Sequence, residues 1–359
     1  MSSEEQTMSD KKSAEVSPFD RRDFLKLGGV ATAGFLARGV VAPAVHALPP
    51  LPENPVTPTA MPTRNLGKTG YRVGIFSLGG QAAVELPDNE AVAVPIVERA
   101  LDLGINYIDT AAMYGGPARW SQKYIGQVMK RRRKETFLTS KTHDRTRDGS
   151  LKLLEESLGL LNTDHLDLWQ LHNVARMEQV EQIFAKGGAI EALQQAREQK
   201  MVRYLGITGH ADPEVLIEGL RRFPFDTILL ALNAADKHHL SFIEKLLPMA
   251  VEKEMGIIGM KIPARGRILS SWTPPPEGQR PQRWEGGTRS GTLAMREALY
   301  YVLSLPVSTV IVGCDSPAQV EENVQLARSF TPLSDEQMKA LVAKTEPIAR
   351  QALFFRRWA

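Results

Sequence analysis

The chain has 359 residues, 44 Lys+Arg against 41 Asp+Glu, and 43% hydrophobic residues, the composition of an ordinary folded globular protein. That balance excludes a disordered or collagen-like chain and a multi-span membrane protein, and a formal net charge of +3 leaves little basic surplus for reading nucleic acid. A single cysteine, Cys314, allows no intrachain disulfide and no thiolate cluster, and no metal site is expected.

Residues 1–47 read as an address. A polar stretch leads into DRRDFLK (20–26), and an Ala- and Gly-rich run from 27 to 45 is broken by Arg38. A spanning helix needs about 20 consecutive apolar residues, so this run is too short and too polar for one. Ala42-Pro43-Ala44 and Val45-His46-Ala47 resemble signal-peptide cleavage sites, leaving the choice between them, or retention, open. Arg21-Arg22 followed by Phe24-Leu25 is similar to the twin-arginine export signal of bacteria. That similarity implies the twin-arginine export machinery as a partner and a periplasmic or otherwise exported location. It also implies a cofactor bound before export; membrane anchoring follows only if the signal stays uncleaved. The Pro-rich stretch 48–63 reads as an extended linker.

From residue 64 to 359 one domain is expected. RNLGKTGYRV (64–73) reads as a hairpin turning at Gly67 or Gly70 and closing the floor of a barrel. Eight apolar runs follow: 74–80, 106–111, 136–141, 166–172, 202–209, 226–233, 256–262 and 308–313. Their starts are 32, 30, 30, 36, 24, 30 and 52 residues apart, each enough for a strand and a returning helix. Continuous apolar runs suit strands buried on both faces of a parallel sheet. Helices are expected over 91–103 and 150–161, with Pro213, Pro317 and Asp88 near helix starts and Gly104, Gly219 and Gly256 near helix ends. Eight β/α units predict a closed (β/α)8 TIM barrel with a long loop after strand seven. A doubly wound open sheet is the runner-up, without a G-x-G-x-x-G to support it.

Catalytic groups of such barrels lie where strands end. Those ends supply Asp109 with Tyr114 five residues on, then Lys141, then His172. Each alone reads as a helix cap, a solvated head group or a structural histidine. Together, from three consecutive units, they converge on one mouth.

INYIDTAAMYG (105–115), FLTSK (137–141), DLWQLH (167–172) and VRYLGITG (202–209) resemble the aldo-keto reductases over about residues 62–330. The resemblance implies a nicotinamide-dependent oxidoreductase that reduces an aldehyde or ketone, or runs in reverse. It assigns Asp109, Tyr114, Lys141 and His172 as the catalytic tetrad. Tyr114 would donate the proton, with Lys141 pulling its pKa down from the ordinary value of about 10. Asp109 would hold Lys141, and His172 would bind the carbonyl oxygen of a small carbonyl substrate.

The resemblance also assigns the cofactor side. Thr208 and Gly209 replace a usual Ser-Asn pair, and Asn173 would supply part of that contact. Asn233 ends strand six, where Leu229 and Leu232 stand in place of the family's Gln and stacking Tyr. After strand eight, Gly313, Ser316, Gln319, Glu322 and Asn323 match the adenosine-side segment. With no Arg or Lys between 313 and 324, Lys261, Arg265 and Arg267 would meet an extra phosphate. NADP(H) is favoured, with NAD(H) as the alternative.

The stretch 267–291 is rich in Pro, Gly and Arg and, with 173–190, would shape the mouth. RRRK (131–134) reads as a solvated corner, His143 as a pocket neighbour, and Cys314 as a small buried residue. The tail LFFRRWA (353–359) packs somewhere across the barrel. A different class stays open: an exported nicotinamide-binding redox sensor or partner subunit with little turnover. A barrel hydrolase, independent of nicotinamide, is a third reading.

Overall fold

The computed structural model describes residues 47–53, 60–279 and 287–358. The expected export signal in 1–46, part of the linker (54–59) and the middle of the long loop (280–286) lie outside them.

A short antiparallel hairpin, β1 (Thr63–Asn65) and β2 (Arg72–Gly74), comes first. Both expected turn glycines have positive φ, +53° at Gly67 and +76° at Gly70. At Gly67 a side chain is also excluded, because a Cβ would stand 2.2 Å from the Gly256 amide nitrogen. Eight parallel strands then close on themselves: β3 (Phe76–Gly79), β4 (Tyr107–Asp109), β5 (Phe137–Thr142), β6 (Leu166–Leu171), β7 (Val202–Gly209), β8 (Thr227–Ala231), β9 (Gly256–Met260) and β10 (Thr309–Val312). β10 pairs with both β3 and β9, which completes the barrel. All eight apolar runs became strands. β5 and β6 are buried at every residue, which is why they read as continuous runs. The barrel's lower end is filled by an aromatic stack of Tyr71, Phe137, Tyr107 and Tyr204, with neighbouring rings 4.6–6.2 Å apart. The hairpin contributes Tyr71 to this plug.

The helices are α1 (Glu90–Asp102), α2 (Trp120–Arg132), α3 (Arg147–Leu160), α4 (Met177–Phe184), α5 (Ala189–Glu198), α6 (Pro213–Arg222), α7 (Phe242–Lys245), α8 (Leu247–Glu252), α9 (Met295–Leu303), α10 (Pro317–Arg328), α11 (Asp335–Thr345) and α12 (Ala349–Ala352). α6 illustrates how the sequence sets one. The Asp212 carboxylate caps Glu214 N at 3.0 Å, Pro213 opens the first turn, and Val215, Leu216, Ile217 and Leu220 face inward.

Three expectations need correcting. Gly219 lies inside α6, not at its end; a Cβ there would meet Ile207 Cδ1 at 2.8 Å, so it lets the helix approach β7. Gly256 opens β9 instead of ending a helix. The basic run 131–134 is not a uniformly solvated corner, because Arg133 pairs with buried Asp167 at 2.9 Å and donates to the Thr136 and His165 carbonyls. The segment 173–190, expected to shape the mouth, carries α4 and the start of α5.

Candidate active site

The strand ends bring the four expected residues together. Asp109 ends β4 and pairs in register with Thr139 of β5. The Lys141 ammonium donates to Asp109 Oδ2 at 2.5 Å, to the Thr110 carbonyl at 2.8 Å and to Tyr114 Oη at 3.5 Å. Thr139 Oγ1 donates to the other Asp109 oxygen at 3.0 Å, so both carboxylate oxygens are bonded. His172, just past β6, lies edge-on to Tyr114, ring centroids 5.6 Å apart at 82°. All four are buried; Tyr114, the most exposed, is 9% accessible.

Burial governs the site's protonation. It holds the Tyr114 phenol well above its ordinary value; the Asp109 and Glu85 charges add to this, and Arg265 opposes it. The expectation that Lys141 lowers the phenol's pKa is therefore not met. Its charge is spent on Asp109 1 Å closer, by the difference of 3.5 and 2.5 Å. Lys141 itself is pulled below its ordinary value by burial, with Asp109 opposing. His172 is held well below the usual imidazole range by burial, then by Lys141, His210, His143 and Arg145. The site therefore offers a neutral phenol, a neutral imidazole and a closed ion pair. His172 Nδ1 is buried without a protein partner.

The cofactor-side residues fall into two groups. Beside the tetrad, Asn173 adopts φ +50° and its backbone N–H donates to Thr208 Oγ1 at 2.8 Å. A Cβ on Gly209 would lie 2.8 Å from the Val174 carbonyl, so glycine lets the β6 and β7 exits touch. Lys261, at φ +62°, reaches across to Gln81 Oε1 at 3.0 Å, and Gln81 in turn donates to Glu85. Burial and Arg265 push the Lys261 ammonium down to about 8.

Near β10, Gly313 backs onto this bridge: a Cβ there would meet the Gln81 carbonyl at 2.8 Å. Ser316 caps α10 through Gln319 N at 3.3 Å, and Gln319 Oε1 accepts from Asp315 N at 2.8 Å. Glu322 is exposed on α10. Asn323 is turned inward, donating to Cys314 Sγ at 3.6 Å. Burial pushes that thiol up to about 12.

Asn233 departs from expectation. It is fully buried, and its amide donates to the Lys261 and Ala352 carbonyls while its oxygen accepts from Ala235 N at 2.9 Å. It ties the β8 exit to the C-terminal segment and offers nothing to a ligand. What remains for a dinucleotide is the α10 start beside Gly313, where the glycine makes room for the Gln81 backbone, and the buried His172 Nδ1, unpartnered among the described residues.

Sequence reading missed several residues here. His210 Nδ1 meets Asn173 Oδ1 at 2.8 Å. Arg356, from the tail, donates to the His210 carbonyl at 2.6 Å and to the Ala231 carbonyl at 3.0 Å, and pairs with buried Asp236. Gln351 Nε2 bonds both the Arg267 and Arg289 carbonyls, pinning the two legs of the long loop. Only the apolar-basic composition of 353–359 hinted at this.

A closed parallel barrel with such a rim defines a barrel oxidoreductase. The Aldo/keto reductase family model matches residues 72–346. L-galactose dehydrogenase of Arabidopsis thaliana is 28% identical over 312 residues, covering 81% of this chain and 96% of the relative. The oxidoreductase YqkF of Bacillus subtilis is 26% identical over 314 residues, covering 80% and 97%. An aldo-keto reductase from Bacillus halodurans, in its holo form, superposes with a TM-score of 0.64 at 26% identity, covering 79% of this chain and 96% of that one. The chain belongs to the aldo/keto reductase family and is an NAD(P)H-dependent oxidoreductase acting between a carbonyl and its alcohol.

Proposed function

We propose that Tyr114, Lys141, Asp109 and His172 are the groups that carry out carbonyl reduction in this enzyme. The observation that carries the reading is the contact set around Lys141: its ammonium reaches Asp109 at 2.5 Å and Tyr114 Oη at 3.5 Å, with His172 against the same phenol ring. A nicotinamide dinucleotide, when bound, would supply the hydride for the carbonyl carbon. Tyr114 gives a proton to the carbonyl oxygen as negative charge grows there, and burial keeps it protonated beforehand. His172, neutral, donates a hydrogen bond to that oxygen and fixes its direction. The Lys141 ammonium stabilises the phenolate that is left, and Asp109 and the Thr110 carbonyl hold the ammonium in line.

The cofactor side of this reading consists of Asn173 and Thr208 next to His172, Lys261 across the mouth, and Gly313, Ser316 and Gln319 at the start of α10. NADP(H) is preferred over NAD(H) on the strength of Lys261 and the exposed Arg265. Replacing Tyr114 by Phe tests the roles. NADPH oxidation with an aldehyde panel falls by about 10²–10⁴-fold, while dinucleotide affinity measured by fluorescence titration is kept. A parallel loss of both refutes the role of Tyr114. The enzyme is further proposed to leave the cytoplasm by the twin-arginine route, on the Arg21-Arg22 motif and the cleavage-like sites at Ala44 and Ala47. The proposed mature chain is then the linker 48–63 and the barrel 64–359.

A further inference from the structure

We infer that the carbonyl substrate carries a carboxylate, and that Arg145 receives it. This rests on the reductase reading above and names the substrate class of the same site. Arg145 lies on the loop after β5, and its Nη2 donates to the His172 carbonyl at 2.7 Å and the Asn173 carbonyl at 3.1 Å. Its guanidinium thus touches the backbone of the residue whose ring faces Tyr114. The remaining nitrogens, Nε and Nη1, are buried and have no protein partner among the described residues.

The surroundings neutralise it only in part, the Asp144 charge offsetting some of the cost of burial. Asp144 is adjacent, but its Oδ1 is engaged by Thr146 N at 2.7 Å and Thr146 Oγ1 at 2.6 Å. Arg176 adds a further positive charge. Arg119, on the loop after β4, is also buried, sits at φ +53°, and binds Glu156 through Nη2 at 2.5 Å while its Nη1 is unpartnered. His143 feels both arginines as well as Asp144. After burial, the charges that most lower the His172 pKa come from Lys141, His210, His143 and Arg145.

A half-buried guanidinium with two buried donors left over is costly unless an acceptor completes it. A carboxylate at Nη1 does so with a charge-assisted bond. The dinucleotide's phosphates are not the anion in question. The residues assigned to them sit at the exits of β7, β9 and β10, whereas Arg119, His143 and Arg145 sit at the exits of β4 and β5, on the other arc of the barrel. An oxo acid fits: its carbonyl against Tyr114 and His172, its carboxylate on Arg145. Reduction adds a hydride from the reduced dinucleotide at the carbonyl carbon and a proton at its oxygen, and leaves the carboxylate unchanged.

The test compares kcat/KM for 4-oxobutanoate and its methyl ester, and for pyruvate and methyl pyruvate, with NADPH and the complete enzyme. At least one acid exceeds its ester by about tenfold or more, the value of one charge-assisted bond. In Arg145→Gln the acid-to-ester ratio falls toward one, and Arg145→Lys keeps part of it. Wild-type ratios at or below one overturn the proposal without need of a variant, as does an unchanged ratio in Arg145→Gln. If neither acids nor esters turn over, the reductase reading itself fails and takes this proposal with it.

Discussion

Replacing Arg356 by Met removes one half of an ion pair whose two side chains are both 0% exposed. Taking one partner from a buried pair costs about 3–5 kcal/mol, because the other charge stays behind. Asp236 keeps three donors, Ser241 Oγ at 2.7 Å, Ile243 N at 3.0 Å and Phe242 N at 3.2 Å, which puts the loss at the lower end. The His210 and Ala231 carbonyls lose a charged donor at the same time. The expected destabilisation at pH 7 is therefore about 3 kcal/mol. Urea unfolding followed by tryptophan fluorescence measures it, since Trp358 stacks on His239 at 3.9 Å and reports tail docking. The effect has a defined pH dependence. Burial already holds the Asp236 carboxyl above its ordinary value, with Arg356 opposing. Without Arg356 the folded carboxyl rises further. A carboxyl whose folded pKa exceeds its unfolded one penalises the fold above that folded pKa, and the penalty disappears as pH falls through it. The deficit of Arg356→Met is thus largest near neutrality and shrinks in acid. Arg356→Met/Asp236→Asn removes this slope and recovers part of the stability. A deficit below about 1 kcal/mol, or one independent of pH, refutes the reasoning.

Lys261, pushed down to about 8, is protonated below that pH and loses its charge above it. If it meets a cofactor phosphate, NADPH affinity weakens as pH rises through about 8, and Lys261→Met flattens the profile; an identical profile in the variant dismisses the contact. Export is read by fractionating expressing cells: Arg21→Lys/Arg22→Lys retains the enzyme in the cytoplasm, and unaltered export counts against the twin-arginine route.

The barrel was legible because its strands are short apolar runs, most of them buried on both faces, at intervals that fit a strand and a returning helix. The tetrad was legible because Asp109 ends β4, Lys141 is the last residue but one of β5 and His172 directly follows β6. Other features depend on contacts that no local pattern encodes. Asn233 reads as a ligand-facing strand end, yet its amide bonds Ala352, 119 residues away. Arg356 and Asp236 are 120 residues apart, and neither segment alone signals a buried pair. Gly219 resembles a helix terminator, but the constraint on it is the Ile207 side chain underneath. The acidity of Tyr114 was misjudged for a related reason. The resemblance brings Lys141 to the phenol and Asp109 to Lys141, but it does not reveal how completely the phenol is buried.

In the proposed mechanism, the sharing of the Lys141 ammonium between Asp109 and Tyr114 governs the proton transfer. The Lys141–Asp109 pair is nearly neutral as a unit, so the resting phenol gains little from the ammonium while burial penalises its anion. A phenol in this state does not release its proton to solvent. It releases it only to an oxygen that has become a strong base, as a carbonyl oxygen does when hydride reaches the adjacent carbon. At that moment the negative charge moves onto Tyr114 Oη, 3.5 Å from an ammonium already fixed in place. No reorientation of Lys141 is required, because Asp109 and the Thr110 carbonyl have set its position beforehand. The arrangement thus ties proton delivery to hydride arrival, and it does so by keeping the resting acid weak instead of strengthening it.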